Sequence, residues 1–295
     1  MFGAVELGGT RAAVTVCFGH DDSAPPIFLE TTGPQETLSR IADVLEDHRR
    51  RGCELTAVGL AAFGPLDLDP ASPGFGRLRA TPKPGWSGVD LKGFLERRLG
   101  LPVALDTDVN AAALGEGRWG ASRGLGSHAY VTVGTGVGMG LVISGRPVHG
   151  LLHPEGGHIM VRRDPLIDPF PGSCAWHGDC LEGLVSGAAL ATRLGRPADD
   201  LDAADPLWDL VGGYLGEGLA TLALVASPER IVLGVGVGRR PEVLQKVRRR
   251  MAAALNTYVA PLDGRLEAYV QPPALGVVSG LMGAFVLAEG AAAAS

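Results

Sequence analysis

The sequence predicts an α/β protein built of two similar halves, and three observations carry that expectation. Apolar runs of strand length alternate with stretches of helical periodicity along the chain. A strand, a Gly/Thr turn and a second strand occur near the N-terminus and again from residue 128, with turn threonines Thr10 and Thr135 standing 125 positions apart. That interval suits two domains in tandem and is too long for a solenoid repeat. Finally, the 44 glycines cluster, most visibly in the turns that follow apolar runs.

Taken in order, Phe2 to Val5 enters as a strand, Gly8-Gly9-Thr10 turns, and Ala12 to Val16 leaves. Glu36 to Arg51 carries Leu38, Ile41, Val44 and Leu45 at helical spacing. Leu55 to Ala62 is a short apolar strand that ends in Phe63-Gly64-Pro65. Val103 to Leu105 is a further strand, and Asn110 to Trp119 a helix. The second half repeats the hairpin: His128 to Val133, a turn from Gly134 to Gly138, then Leu141 to Ile143. Leu207 to Ala226 is a long apolar helix. Ile231 to Leu233 is a buried strand that runs into Gly234-Val235-Gly236-Val237-Gly238. Pro241 to Tyr258 is helical, Gly276 to Ala288 is a helix of small residues, and the last few residues read as a frayed tail.

Composition narrows the class of function. The chain has 295 residues, 46% of them hydrophobic and 20% charged, as in ordinary one- or two-domain globular proteins. A net charge of −6 argues against nucleic acid as the main partner, since phosphate backbones demand a basic surface. The two basic runs, Arg49 to Arg51 and Arg248 to Arg250, each close a helix-like segment, where positive charge suits the helix dipole. No uninterrupted apolar run of membrane-spanning length stands out, so no membrane partner is expected. MFGAVELGG has no basic region or cleavage pattern and so predicts no signal peptide. Four cysteines in a chain this long are no disulfide framework, and a cytoplasmic location is the expectation.

Three constellations carry chemistry. The glycine turns are followed by strands, so they match neither the G-x-G-x-x-G dinucleotide fingerprint nor the Gly-Lys-Ser/Thr loop. What remains is a hairpin whose N–H groups and threonine hydroxyl can approach a phosphate; a plain tight hairpin is the simpler alternative. Asp106-Thr107-Asp108 sits between a strand and a helix, where a carboxylate can act as a base or merely cap the helix. Cys174, His177 and Cys180, spaced by three, have metal-ligand spacing, with a disulfide as the alternative.

Together these residues resemble the ROK family of sugar kinases, and its bacterial fructokinase branch most of all. The likeness rests on ELGGT, AAFGP, ATPKPGW, TDVNAAALGE, VGTGVGMG, HPEGGHI, CAWHGDCLEGLVSG and IVLGVGV, in family order from residue 1 to about 288. The resemblance implies an actin-like, ribonuclease-H-like ATPase fold: a small domain of residues 1–116 and 283–295, a larger one of residues 117–282, and a cleft between them. Gly8, Gly9, Thr10 and Arg11 would form the first phosphate loop, Thr135, Gly136 and Gly138 the second, and Gly234 and Gly236 would lie near adenosine. Asp108 matches the catalytic base. Thr107, Glu155, His158 and Glu182 match positions that hold the sugar. His158, Cys174, His177 and Cys180 match the ligands of a structural zinc, a closed set that leaves no position for hydrolytic chemistry.

The implied activity is phosphorylation of a hexose, most of all D-fructose, by ATP with Mg²⁺, in a homodimer. Glucokinase or mannokinase activity is the nearest alternative. A sugar-responsive repressor is a remoter one, because the first strand begins at Phe2 and leaves no room for a helix-turn-helix ahead of it. Thr107 stands where most of the family has Asn, and His177 where a Cys is usual; both fit the fructokinase branch. Glu6 replaces the commoner Asp and Arg11 the commoner Lys. Val235 stands where glycine is usual, a change expected to narrow the adenosine pocket.

Overall fold

The computed structural model describes residues 1–19 and 22–294. In chain order the strands are β1 (Phe2–Leu7), β2 (Arg11–Gly19), β3 (Asp22–Ser23), β4 (Ile27–Glu30), β5 (Ala57–Ala62), β6 (Val103–Thr107), β7 (His128–Val133), β8 (Val137–Ile143), β9 (Arg146–Pro147), β10 (Arg230–Gly236) and β11 (Val270–Gln271). The helices are α1 (Pro34–Arg50), α2 (Leu91–Leu99), α3 (Asp108–Arg118), α4 (Leu181–Val185), α5 (Gly187–Leu194), α6 (Leu207–Ala226), α7 (Pro241–Leu255), α8 (Leu266–Tyr269) and α9 (Ser279–Ala294). Two compact units result. One comprises Met1–Arg123, Pro147–Pro154 and Val277–Ser295; the other comprises Gly124–Arg146 and Glu155–Gly276. Ser295, the last residue of the expected small domain, lies outside the described residues.

The first unit is built on a mixed sheet in the order β3-β2-β1-β5-β6, with β4 also on β2. β1 and β2 form the predicted hairpin, antiparallel from Phe2↔Cys17 to Leu7↔Ala12. β5 joins β1 in parallel, and β6 joins β5 in parallel. All six residues of β5 are buried, as expected of a central strand covered on both faces. α1 starts with Pro34 at its first turn, where the missing N–H costs nothing, and buries Leu38, Ile41 and Leu45. His48, Arg49 and Arg50 occupy its last turn, as the charge pattern predicts. α9 explains the small-residue segment. It crosses α3 so closely that a Cβ on Gly283 would lie 1.6 Å from the Ala111 carbonyl oxygen. α9 continues to Ala294, so the alanine-rich end is helix where a frayed tail was expected.

The second unit repeats the plan with the sheet order β11-β10-β7-β8-β9. β7 and β8 form an antiparallel hairpin, and β10 runs parallel to β7. α6 and α7 pack the core, with Trp208, Leu215 and Leu219 of α6 and Val243, Val247 and Met251 of α7 inside it. By length and composition alone, Leu207–Ala226 and Gly276–Ala293 are long and apolar enough to cross a membrane. The expectation of no such segment is corrected: a helix packed into a domain core meets the same criterion, and 56% and 44% of these windows are buried. The second basic run is also corrected. Arg248 to Arg250 do not close α7, which continues to Leu255 with no basic residue in its last turn. Arg248 instead donates to the Val270 carbonyl at 2.7 Å, and Arg250 pairs with Glu217.

Candidate functional site

Strand register brings three chain segments to one edge of the first sheet. Leu7 pairs with Ala62, and Ala62 with Thr107. The next residues, Gly8, Phe63 and Asp108, therefore leave the sheet side by side at the carboxyl ends of three parallel strands, where α/β proteins place ligands. The Gly8–Arg11 turn closes by a Gly8 N–H bond to the Arg11 carbonyl at 3.0 Å. Thr31 supports it, its hydroxyl donating to the Gly8 carbonyl at 2.9 Å.

Asp108 stands at the first position of α3, but it does not cap the helix. Thr107 does, its hydroxyl oxygen accepting Asn110 N–H at 3.1 Å. That leaves the buried Thr107 hydroxyl its O–H to donate and one further lone pair. Asp106, 2% exposed, braces the same turn by accepting Thr107 N–H at 2.7 Å and Asn110 Nδ2 at 2.8 Å. His149 Nε2 lies 3.0 Å from the other Asp106 oxygen, and that hydrogen bond raises the imidazole's pKa against the opposing effect of burial.

Burial pushes the Asp108 carboxyl up to about 6, against the lowering effect of backbone N–H groups at Val109 and at Asp108 itself. The neighbouring Glu6 is pushed higher, to about 7, first by burial and then by the charge of Asp108. The charge of Asp108 thus adds to the burial that keeps Glu6 protonated. A carboxylate poised near 6 in the fold is what a general base needs.

The cation at this turn is not the one expected. Arg11 extends over the Phe28 ring, 4.4 Å from its centroid. Lys83, from the ATPKPGW stretch, instead reaches in and donates to the Gly9 carbonyl at 2.5 Å and the Thr31 carbonyl at 3.4 Å. Its loop is held by Trp86, fully buried, whose indole N–H donates to the Thr32 carbonyl at 3.1 Å and whose ring meets Phe63 edge-on. Sequence reasoning singled out the motif but not the lysine, named Glu6 and Asp106 without giving either a role of its own, and missed His149. A lysine between two prolines, 74 residues along the chain from Gly9, carried no local signal.

In the second unit the turn Gly134–Gly136 closes with Gly134 N–H on the Gly136 carbonyl at 2.9 Å. Thr135 is exposed at its tip, and Gly138 lies just inside β8, opposite Thr132. β10 ends beside this turn, with Gly236 opposite Val133 and a bulge between Gly234 and Gly236. Val235 is the extra residue. Its φ of 62° is in the left-handed region that a β-branched side chain rarely adopts, which accounts for glycine being usual there. A Cβ on Gly134 would lie 3.3 Å from Val235 Cγ1, so the valine side chain does crowd this edge.

The four expected metal ligands come together. Their donor atoms, one each from His158, Cys174, His177 and Cys180, all lie within 4.8 Å of one another. Cys174 Sγ is 3.6 Å from His158 Nδ1 and 3.7 Å from His177 Nδ1, and Cys180 Sγ is 3.6 Å from His158 Nδ1. Zinc bonds of about 2.3 Å to sulfur and about 2.0 Å to nitrogen, at a tetrahedral angle, put S and N about 3.6 Å apart. The donor set and its spacing therefore fit a tetrahedral cation. Both cysteines are free thiols, so the disulfide alternative fails. A tight loop presents them, with Cys174 and Gly178 exchanging backbone hydrogen bonds at 3.1 and 2.9 Å.

With Nδ1 of His158 turned to the sulfurs, its Nε2 points the other way, 4.0 Å from Glu182 Oε1. Metal on Nδ1 leaves the proton on Nε2, which makes that atom a donor. Glu155 precedes the single helical turn Gly156–His158 and accepts His158 N–H on its carbonyl at 3.0 Å. Glu155, through its backbone, and Glu182, through its carboxylate, thus both adjoin His158 of the His/Cys cluster.

The ROK family model matches residues 2–291. The chain belongs to the ROK family. Among relatives of this ROK protein is a fructokinase from Zymomonas mobilis, 39% identical over 98% of this chain and 96% of its own length. A ROK hexokinase from Thermus thermophilus superposes with a TM-score of 0.76 at 30% identity, covering 100% of this chain and 99% of that one. A ROK glucokinase from Streptomyces griseus, solved in complex with glucose and AMPPNP, gives 0.74 at 27% identity over 98% and 99%. The ROK protein accordingly has the actin-like ATPase fold, and its duplicated hairpin-plus-parallel-strand sheets are the two α/β halves of that fold.

Proposed function

We propose that this ROK-family chain is a carbohydrate kinase that transfers the γ-phosphoryl of MgATP to the primary 6-hydroxyl of D-fructose. The observation that carries the reading is Asp108, a carboxylate poised near 6 at the sheet edge, uncommitted to helix capping and beside a glycine turn. Full-length likeness to a fructokinase at 39% identity supports fructose over glucose, since a glucokinase relative is 31% identical over 79% of this chain.

Asp108 accepts a hydrogen bond from the sugar's primary hydroxyl, aligns its oxygen and takes its proton as the bond to phosphorus forms. Gly8 to Thr10 and Thr135 to Gly138 offer backbone N–H groups and threonine hydroxyls to the nucleotide's phosphates. Lys83 adds the positive charge at the first turn, since its ammonium already touches the Gly9 carbonyl. Gly234 and Gly236 border the adenosine, with Val235 reducing the room there. Glu155 and Glu182 accept hydroxyls of the sugar, and His158 donates from Nε2. Thr107, already accepting the Asn110 N–H in the cap, offers its O–H to the sugar. His158, Cys174, His177 and Cys180 would hold Zn²⁺. When bound, the ion serves structure: it fixes the loop and the His158 tautomer.

The test is the initial rate of ADP formation with fructose, mannose and glucose, with the product identified. We expect fructose 6-phosphate and a kcat/KM for fructose at least about tenfold above that for glucose. A preference for glucose would turn the reading to glucokinase, and no sugar-dependent ADP would end it.

A further inference from the structure

The stretch that ends the metal cluster also grips the second glycine turn. Cys180 is followed at once by α4, whose second residue is Glu182. Its carboxylate faces two ways. Oε1 lies 4.0 Å from His158 Nε2, while Oε2 accepts the N–H of Val137 at 2.9 Å. Val137 is the first residue of β8 and closes the Gly134–Gly136 turn. Two further bonds run from the same stretch to the same turn. Gly187 N–H donates to the Gly134 carbonyl at 2.7 Å, and Ala188 N–H to the Thr135 carbonyl at 3.4 Å. Gly136 is held by proximity, since a Cβ there would lie 2.7 Å from Glu182 Oε2. Every residue from 134 to 137 is therefore touched by residues 182 to 188.

We infer that Glu182 is a positioning residue for the second phosphate turn, through which the sugar and the metal centre set the geometry of the nucleotide's loop. The inference rests on the kinase reading above. Its physical basis has three links. A bond from a backbone N–H to a carboxylate is about twice as strong as one between neutral groups. A turn of glycines has little conformational preference of its own, so one such bond largely decides where its N–H groups point. The orientation of Glu182 is in turn set from its other oxygen. The 4.0 Å gap to His158 Nε2 is too long for a direct hydrogen bond, yet it suits a bridging hydroxyl about 2.8 Å from each atom. A sugar hydroxyl there accepts from Nε2–H and donates to Oε1, fixing the carboxylate and hence Val137. Metal on Nδ1 keeps the proton on Nε2, so loss of the metal loosens the same chain.

The experiment is calorimetric titration of MgAMPPNP, without sugar, into the wild type, Glu182→Ala, Glu182→Gln and chelator-treated wild type. Glu182→Ala should weaken AMPPNP binding about tenfold, the effect of one charge-assisted hydrogen bond. Glu182→Gln keeps a carbonyl oxygen for Val137 and should stay within about threefold of wild type for AMPPNP while losing fructose affinity. In a second titration with saturating fructose, which supplies the bridging hydroxyl, chelator treatment should shift AMPPNP in the direction of Glu182→Ala. A residue that only holds sugar would leave AMPPNP affinity unchanged in Glu182→Ala, and that result overturns the inference. Should Glu182→Ala fail to fold, Gly136→Ala probes the contact from the other side. Its methyl displaces Oε2, so fructose affinity should fall at least about fivefold although the change lies in the phosphate turn; an unchanged affinity overturns the inference equally. A wild type that binds no AMPPNP would sink the kinase reading, and this one with it.

Discussion

Replacing Asp108 by Asn keeps the side chain's shape and its place at the start of α3 but removes the proton acceptor. Loss of a positioned base costs about 10²- to 10⁴-fold, so turnover should fall at least about 100-fold while the fructose KM changes little. The pH dependence gives an independent magnitude. With the Asp108 carboxyl pushed up to about 6 by burial, about one molecule in eleven carries the ionised base at pH 5, and nearly all do at pH 8. The wild-type kcat/KM for fructose should therefore rise about tenfold from pH 5 to pH 8, bending near 6. ADP is best measured chromatographically, because coupling enzymes have pH profiles of their own. A flat wild-type profile, or an Asp108→Asn variant within about tenfold of wild type, would refute the assignment of the base.

Cys180→Ser should lower zinc affinity by more than the roughly 10- to 100-fold typical of an outer-shell change, and raise the fructose KM in step, as read by chelator competition and kinetics. Lys83→Gln should raise the KM for MgATP about tenfold and leave the KM for fructose within about twofold; equal effects on both would make the lysine a loop brace only. Glu6 has its pKa raised in the fold to about 7, so its contribution to stability is full below the ordinary carboxylate range and is lost as pH rises through about 7. Glu6→Gln should thus stabilise the protein more at pH 8 than at pH 5, by no more than about 3 kcal/mol, in urea melts at the two pH values. Gly283→Ala places a methyl on the Ala111 carbonyl and should cost about 3 kcal/mol in the same melts, with α3 and α9 forced apart.

The legible part of this protein lay in local pattern. Leu38, Ile41 and Leu45 repeat at helical spacing, and α1 forms on them. The Gly8-Gly9-Thr10 and Gly134-Thr135-Gly136 turns each announce a hairpin, and each hairpin is present. Cys174, His177 and Cys180 are close enough in the chain for one loop to gather them. The role of Arg248 to Arg250 was misread because a basic run resembles a helix end, and only their partners, Val270 and Glu217, show otherwise.

By itself, then, the sequence determined the alternation of elements, the form of each hairpin and the Cys174-His177-Cys180 spacing, since each depends on residues a few positions apart; His158, sixteen residues before Cys174, joins them only in the fold. Tertiary structure alone decided which residue of Asp106-Thr107-Asp108 braces the turn, which caps α3 and which does neither. It alone turned Arg11 onto Phe28 and brought Lys83, 74 residues distant, onto Gly9. It also placed the Glu182 carboxylate between His158 and the Gly134–Gly136 turn. These outcomes rest on which strands become neighbours and in what register, and a one-residue change of register would send the same side chains to the opposite face of the sheet.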